Sequence, residues 1–305
     1  MTVLRSANVV RLSATSISGR IDRLLDRTQR GAIIGVFPRS CYVDLDRHII
    51  AVVGTELLNG PLNLVVSLPS GATLIDVPVG ATVETRGRVL EIDGGWHIDA
   101  TRTRLWDARL TPIVGTAELD RWLLSVQAVL DADAPRGSLA RVEGRPRRAA
   151  EAMALLATGL RKGDGPAVSN AAQDLAGLGP GLTPSGDDVL AGTLLAVALL
   201  KPAHAHGCRE NIMASTRGRT TRISEAYLEA AAAGEAGEAW HQLLAMLRRD
   251  ERTTVADAAG EATTPSPAGG ADLRAAVHRV LAFGETSGAD MLAGFVLATT
   301  ALLPT

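Results

Sequence analysis

Hydrophobic and polar positions along the chain follow two different periods. Between about residues 30 and 105, short runs rich in β-branched residues alternate with turn residues. The runs are 32–37, 41–45, 48–53, 62–68, 73–77, 81–86, 89–92 and 96–100. Pro38, Asp46, Gly60-Pro61 and Pro69-Ser70-Gly71 bound them, and Gly94-Gly95 marks a hairpin turn between the last two. Runs of this kind predict strands. They fit an antiparallel sheet, closed as a barrel or packed as a sandwich, with a short helix over residues 21–28 ahead of it. From about Thr116 the apolar residues recur at helical spacing, as in Leu119, Leu123, Leu124, Val126 and Leu130. Helices are predicted over 117–130, 148–160, 167–175, 187–200, 223–233, 235–247, 273–283 and 289–303. Residues 249–270, rich in threonine, alanine, proline and glycine, read as a flexible linker. The expected fold class is therefore α+β. An N-terminal antiparallel β barrel or sandwich domain over residues 1–115 precedes an all-helical domain over 116–305.

Within the helical half one phrase occurs twice. Thr183-Pro184-Ser185-Gly186-Asp187-Asp188-Val189-Leu190-Ala191-Gly192 returns as Thr286-Ser287-Gly288-Ala289-Asp290-Met291-Leu292-Ala293-Gly294, with one proline missing. Each copy joins a polar, glycine-containing head to a small and apolar tail. That suits a buried helix with a chemically prepared N-terminus. Thr183 followed by Pro184 fits an N-cap and a first-turn proline. Gly177, Gly179 and Gly181 ahead of the first copy allow close backbone approach to a ligand. A helix N-terminus with unsatisfied N–H groups is a ready anion site. The paired heads thus predict a phosphate or carboxylate pocket involving Gly181, Thr183, Ser185, Gly186, Thr286, Ser287 and Gly288. The other reading is two well-capped helices, with Gly192 and Gly294 letting them cross closely. Carboxylates at Asp187, Asp188 and Asp290 oppose an anion unless they accept amide hydrogens, hold a cation or pair with one. They are the candidate catalytic residues, as amide-hydrogen acceptors or metal ligands.

A third polar segment, Ser215 to Ser224, contributes Arg217, Arg219 and Arg222 as permanent charge suited to carboxylate or phosphate. Thr221 and Ser224 can cap the helix that follows. An exposed basic loop is the alternative. His204, His206 and Cys208 sit among Pro202, Ala203 and Gly207, which read as an interhelical loop. No transition-metal site is assigned there. Activity is expected to need no cofactor and to survive zinc removal. Any ion on the aspartates is expected to be magnesium rather than zinc.

Composition narrows the field. Lysine plus arginine (31) nearly balances aspartate plus glutamate (33), which argues against a nucleic-acid or membrane-surface protein driven by charge. The two cysteines, Cys41 and Cys208, form neither a disulfide framework nor a Cys-x-x-Cys pair. The longest apolar stretch, 189–200, is too short to span a membrane, and residues 1–18 lack a secretory apolar run. A soluble cytoplasmic protein is expected. No Walker loop, Gly-x-Ser-x-Gly elbow or Ser-His-Asp order is present.

The chain resembles the AllH-type family, named for a subunit of oxamate carbamoyltransferase in anaerobic allantoin degradation. The resemblance rests on Gly179 to Asp188, Thr286 to Asp290 and Thr220 to Ser224. Weaker echoes lie at Asn59-Gly60-Pro61 and Trp106. It implies a transferase of purine catabolism: carbamoyl transfer involving oxamate or oxalurate and carbamoyl phosphate, alongside other subunits. The remaining alternative is a non-catalytic partner subunit, or a small-anion-binding protein of a nitrogen-catabolism complex.

Overall fold

The computed structural model describes residues 9–113, 118–200, 203–247 and 267–303, without the side chains of His204 and of residues 267–269. Two compact units result, one ending at Ala108 and the other beginning at Arg109. Each has its own hydrophobic core.

The first unit is a β barrel. Its strands are β1 (Val10–Ser18), β2 (Gln29–Phe37), β3 (Ser40–Leu45), β4 (His48–Gly54), β5 (Asn63–Val66), β6 (Thr82–Arg86), β7 (Val89–Ile92), β8 (Trp96–Asp99) and β9 (Arg104–Trp106). They neighbour one another in the order β5-β4-β3-β2-β6-β7-β8-β1. β1 then closes the ring onto β5, pairing Ala14 with Val66 and Ile17 with Leu64. β9 runs beside the second half of β1, where β8 has ended. Period-two alternation sends Leu12, Ile33, Val43, Leu45, Ile50, Val52, Leu64, Val83, Leu90 and Ile98 into one core. Most ladders are antiparallel as expected, but β4–β5, β1–β8 and β1–β9 are parallel. The two pairings of β1 arise where the first strand closes the barrel.

β1 and β9 escape a reading of the sequence for apolar runs. β1 dilutes its alternating Leu12 and Ala14 with Ser13, Thr15, Ser16 and Ser18, and β9 is three residues long. Residues 73–77, expected as a strand, form turns and bends instead. The helix expected at 21–28 is a single 3-10 turn, Asp22–Leu24, which Arg88 ties down through Asp22 (2.6 Å) and Asp26 (2.7 Å).

The second unit is helical: α1 (Leu119–Asp133), α2 (Arg147–Lys162), α3 (Gly165–Leu175), α4 (Ser185–Leu200), α5 (Cys208–Thr216), α6 (Arg222–Ala232), α7 (residues 238–247), α8 (Pro267–Leu281) and α9 (Ser287–Leu302). α5 was not expected. It has too few apolar residues to show a stripe, and only Cys208, Ile212, Ser215 and Thr216 are buried on it. α8 starts at Pro267, inside the expected linker; the rest of that linker, 249–266, lies outside the described residues. α4 and α9 form the centre of the unit. Each is apolar all round and buried along nearly its whole length, as a core helix must be. Trp240 of α7 meets Phe295 of α9 edge to face at 5.2 Å.

Candidate functional site

The repeated phrase forms a repeated structure. α4 and α9 run parallel, side by side, with both heads at one end. Thr183 Oγ1 lies 3.0 Å from Ser287 Oγ, and Ser185 Oγ lies 3.4 Å from Thr286 Oγ1. These two contacts exchange when one copy is superposed on the other. So do the contacts of the seam. A Cβ at Gly192 would overlap the carbonyl of Met291, and a Cβ at Gly294 would overlap the carbonyl of Val189. Met291 and Val189 occupy equivalent places in the two copies. The helix pair is thus a local two-fold arrangement with glycine backbone in van der Waals contact at the crossing.

Parallel packing places two positive helix ends together, which on its own is unfavourable. Asp187 and Asp188 in the first turn of α4, and Asp290 in that of α9, offset it. Their environments differ. Asp187 is fastened on both oxygens, by the Gly177 N–H at 2.9 Å and by the Thr220 hydroxyl. Asp290, 0 % exposed, accepts at Oδ1 from Ser138 Oγ (2.7 Å) and from the Leu139 N–H (2.5 Å). Asp188 is 8 % exposed. Oδ2 of Asp188 and Oδ2 of Asp290 are both buried without a hydrogen-bond partner.

Burial drives the Asp188 carboxyl well above its ordinary range. A hydrogen bond with Ser287 opposes the rise, and the charges of Asp290 and Asp187 add to it. Asp187 is raised by burial too, against its hydrogen bonds with Thr220, Gly177 and Ser224. Both folded-state values lie above the unfolded ones. The folded protein therefore binds more protons than the unfolded chain at pH values above the ordinary carboxylate range, and stability falls as pH rises through the raised values. Asp188→Asn removes the largest of these penalties. Its melting temperature relative to the wild type is expected to climb as pH is raised from 4 to 8 in thermal unfolding scans. A pH-independent difference would contradict the buried-acid assignment.

α6 brings the third polar segment to the same place. Thr221 caps α6 by accepting from the Ser224 N–H at 3.0 Å, and its hydroxyl donates to the Leu182 carbonyl at 2.5 Å. Ser224 Oγ lies 3.5 Å from the same carbonyl. Thr220 holds Asp187, and the glycine-rich loop packs against the approach to α6. Gly177 has φ +71°, and a Cβ there would overlap the Arg219 carbonyl, so only glycine fits. Three helix N-termini, those of α4, α6 and α9, thereby meet around one group of hydroxyls. Gly181, Arg217 and Arg222 are exposed beside them.

Two expected roles change on this geometry. The Gly186 N–H donates to the Leu178 carbonyl at 2.8 Å, and the Gly288 N–H donates to the Phe283 carbonyl at 2.9 Å. A Cβ at Gly186 or Gly288 would overlap the carbonyl of Leu175 or Val280, the ends of the preceding helices. Both glycines therefore serve tight helix-to-helix turns, and their N–H groups are engaged within the chain. Thr183 is also one residue further from its helix than expected. The Pro184 carbonyl accepts the first bonds of α4, from the Asp187 N–H at 2.9 Å and the Asp188 N–H at 3.2 Å.

Residues 175–275 match the family model described as oxamate carbamoyltransferase subunit AllH. The resemblance carried by Gly179 to Asp188 and Thr220 to Ser224 is borne out over the stretch that contains them. The matched segment includes the heads of α4 and α6, whereas the head of α9 follows it in the chain. No solved structure matches the chain.

Sequence reasoning missed the loop between α1 and α2. Ser138 and Leu139 bind Asp290, the Ser138 hydroxyl also accepts from the Ala140 N–H at 3.0 Å, and Arg145 donates from Nη2 to the Ala140 carbonyl at 3.0 Å. Pro135-Arg136-Gly137-Ser138 announces a turn, but nothing in it points to α9 about 150 residues away. Burial pulls the Arg145 guanidinium below its ordinary value, while Asp131 and Asp290 hold it up. Among the described residues no group of three or more histidine, cysteine, aspartate or glutamate side chains is placed to hold a metal ion. Cys208 opens α5 rather than lying in a loop, and burial raises its thiol. No helix among the described residues is long and apolar enough to cross a membrane.

Proposed function

We propose that the chain is a carbamoyltransferase, or a subunit of one, acting with carbamoyl phosphate on a small carboxylate or amide such as oxamate or oxalurate. One observation carries this reading. The heads of α4, α6 and α9 converge on a hydroxyl-lined place that also holds two buried carboxylates with unpartnered oxygens. The residue classes suit the substrates. Thr183, Ser185, Thr286 and Ser287 offer hydroxyls to a small anion beside three positive helix ends. Arg217 and Arg222, exposed on the approach past Gly181, provide charge for the phosphate. Thr221, Ser224 and Asp187 hold the glycine-rich loop and α6 together.

Asp188 and Asp290 accept amide hydrogens at their unpartnered oxygens. In the transfer, the acceptor nitrogen bonds to the carbamoyl carbon, the bond from that carbon to the phosphate oxygen breaks, and the nitrogen gives up a proton. A carboxylate with raised proton affinity, Asp188, suits that proton. Orientation and stabilisation of the leaving phosphate supply the rest. The donor set is all oxygen, so any ion it takes is magnesium rather than zinc. Other subunits of a carbamoyltransferase complex and a cytoplasmic setting in purine catabolism belong to the same reading.

A second reading, a non-catalytic partner subunit that binds a small anion or merely supports the helix pair, draws on the internal engagement of the Gly186 and Gly288 N–H groups. The test is carbamoyl transfer to oxamate by the full chain with its partner subunits, comparing wild type with Asp188→Asn and Asp290→Asn. Loss of transfer without loss of stability supports the enzyme. Loss of stability alone supports the second reading.

A further inference from the structure

The repeat places Asp188 and Asp290 at equivalent positions, yet the chain holds them differently. Asp188 hydrogen-bonds with Ser287, on the neighbouring helix of the pair. The local two-fold would give Asp290 the hydroxyl of Ser185 in the same way. The α1–α2 loop supplies the donors instead: Ser138 Oγ at 2.7 Å and the Leu139 N–H at 2.5 Å, both on Oδ1.

That loop is built to aim one hydrogen. Oγ of Ser138 accepts from the Ala140 N–H at 3.0 Å, which leaves its single O–H for Asp290. The Ser138 N–H donates to the Pro135 carbonyl at 3.3 Å, and the Ser138 carbonyl accepts from the Arg141 N–H at 3.2 Å. Two guanidinium groups brace the turn from either side, Arg141 on the Ala134 carbonyl (3.1 Å) and Arg145 on the Ala140 carbonyl (3.0 Å). Ser138 itself is buried.

A carboxylate buried for the fold alone is expected to have donors on both oxygens, as Asp187 has from Gly177 and Thr220. Asp290 has two donors on Oδ1 and none on Oδ2, although it is fully buried. Pinning one oxygen fixes the direction of the other. An acceptor fixed in advance needs no reorganisation when a donor arrives.

We propose that Ser138 is a positioning residue of the site. With the Leu139 N–H it pins Oδ1 of Asp290 to the α1–α2 loop, and so sets Oδ2 as the oxygen that works on the substrate. The inference rests on the reading of the joined heads as the substrate site. It extends that site to a loop outside the repeated phrase and outside the polar segment ahead of α6.

The test is a double-mutant cycle between Ser138→Ala and Asp290→Asn. Its readouts are kcat and KM for carbamoyl transfer to oxamate by the full chain with its partner subunits, and a melting curve for each protein. Ser138→Ala alone is expected to lower kcat by about tenfold or more, the size of a hydrogen bond to a charged group. Beside Asp290→Asn the same change is expected to alter kcat by less than about threefold, because the oxygen it positions is no longer an acceptor. A purely structural Ser138 would lower rate and melting temperature together in both backgrounds. If Ser138→Ala does not fold, Ser138→Cys, which keeps the bulk with a weak donor, is held to the same outcome.

Ser138→Ala at the wild-type kcat, or losses that multiply in the double variant, would overturn the proposal and leave the transferase reading standing. Absence of transfer by the wild type would sink the transferase reading. The cycle is then read from the calorimetric affinity for oxamate, where Ser138→Ala must weaken binding on its own and not beside Asp290→Asn. A wild type that neither transfers to oxamate nor binds it overturns both.

Discussion

Gly192→Ala is expected to lower the unfolding free energy by roughly 3 kcal/mol or more, the upper end of overpacking costs. The added methyl has nowhere to go. It meets the Met291 carbonyl and the Phe295 amide, both backbone atoms of a fully buried helix, so no flexible side chain can give way. Relief requires α4 and α9 to separate, which opens the largest core of the helical unit and pulls Thr183 away from Ser287. Gly294→Ala meets the Val189 carbonyl and is expected to cost a similar amount. Gly270→Ala is the control. It adds a methyl within α8 at an exposed place with nothing near, and should be neutral or stabilise by about 0.5–1 kcal/mol. Chemical denaturation of the three variants decides the matter. A seam variant as stable as the control would contradict the close packing.

The second large effect concerns chemistry. Asp188→Asn and Asp290→Asn are each expected to reduce carbamoyl transfer by roughly 100-fold or more, in the range of a lost general base or a lost hydrogen bond specific to the transition state. The fold should survive both. The Asp290→Asn side chain would still present an oxygen to the Ser138 hydroxyl and the Leu139 N–H. Asp188→Asn would remove the charge whose burial the folded state resists. The measurement is the steady-state rate of carbamoyl transfer alongside a melting curve for each variant. Rates within about threefold of the wild type would remove the two aspartates from the chemistry.

The barrel strands that were legible in the sequence are those in which two or three apolar residues sit on the inward face, as in β3, β4 and β5. β1 was not, because four of its nine residues are serine or threonine and its contribution is to close the ring by hydrogen bonds that carry no hydropathy signal. Among the helices, α4 and α9 announced themselves by repetition, and their adjacency followed from glycine at equivalent places. α5 stayed hidden because nine residues with few apolar positions show no period. At the site, the twin heads and the threonine cap of α6 were legible, since capping has a sequence grammar. The engagement of the Gly186 and Gly288 N–H groups was not. It depends on how tightly the preceding helices turn back, and a glycine reads the same in an open loop as against a carbonyl. Ser138 and Leu139 were invisible for a simpler reason: their hydrogen bonds to Asp290 join segments about 150 residues apart.

The central claim is that the joined heads of α4 and α9 receive the substrate. Diffraction from crystals of the protein soaked in oxamate and carbamoyl phosphate tests it most directly. The account predicts ligand density in contact with Asp188, Ser287 and Asp290, with the phosphate toward Arg222. Density bound elsewhere on the chain, with those three residues untouched at saturating ligand, would contradict it.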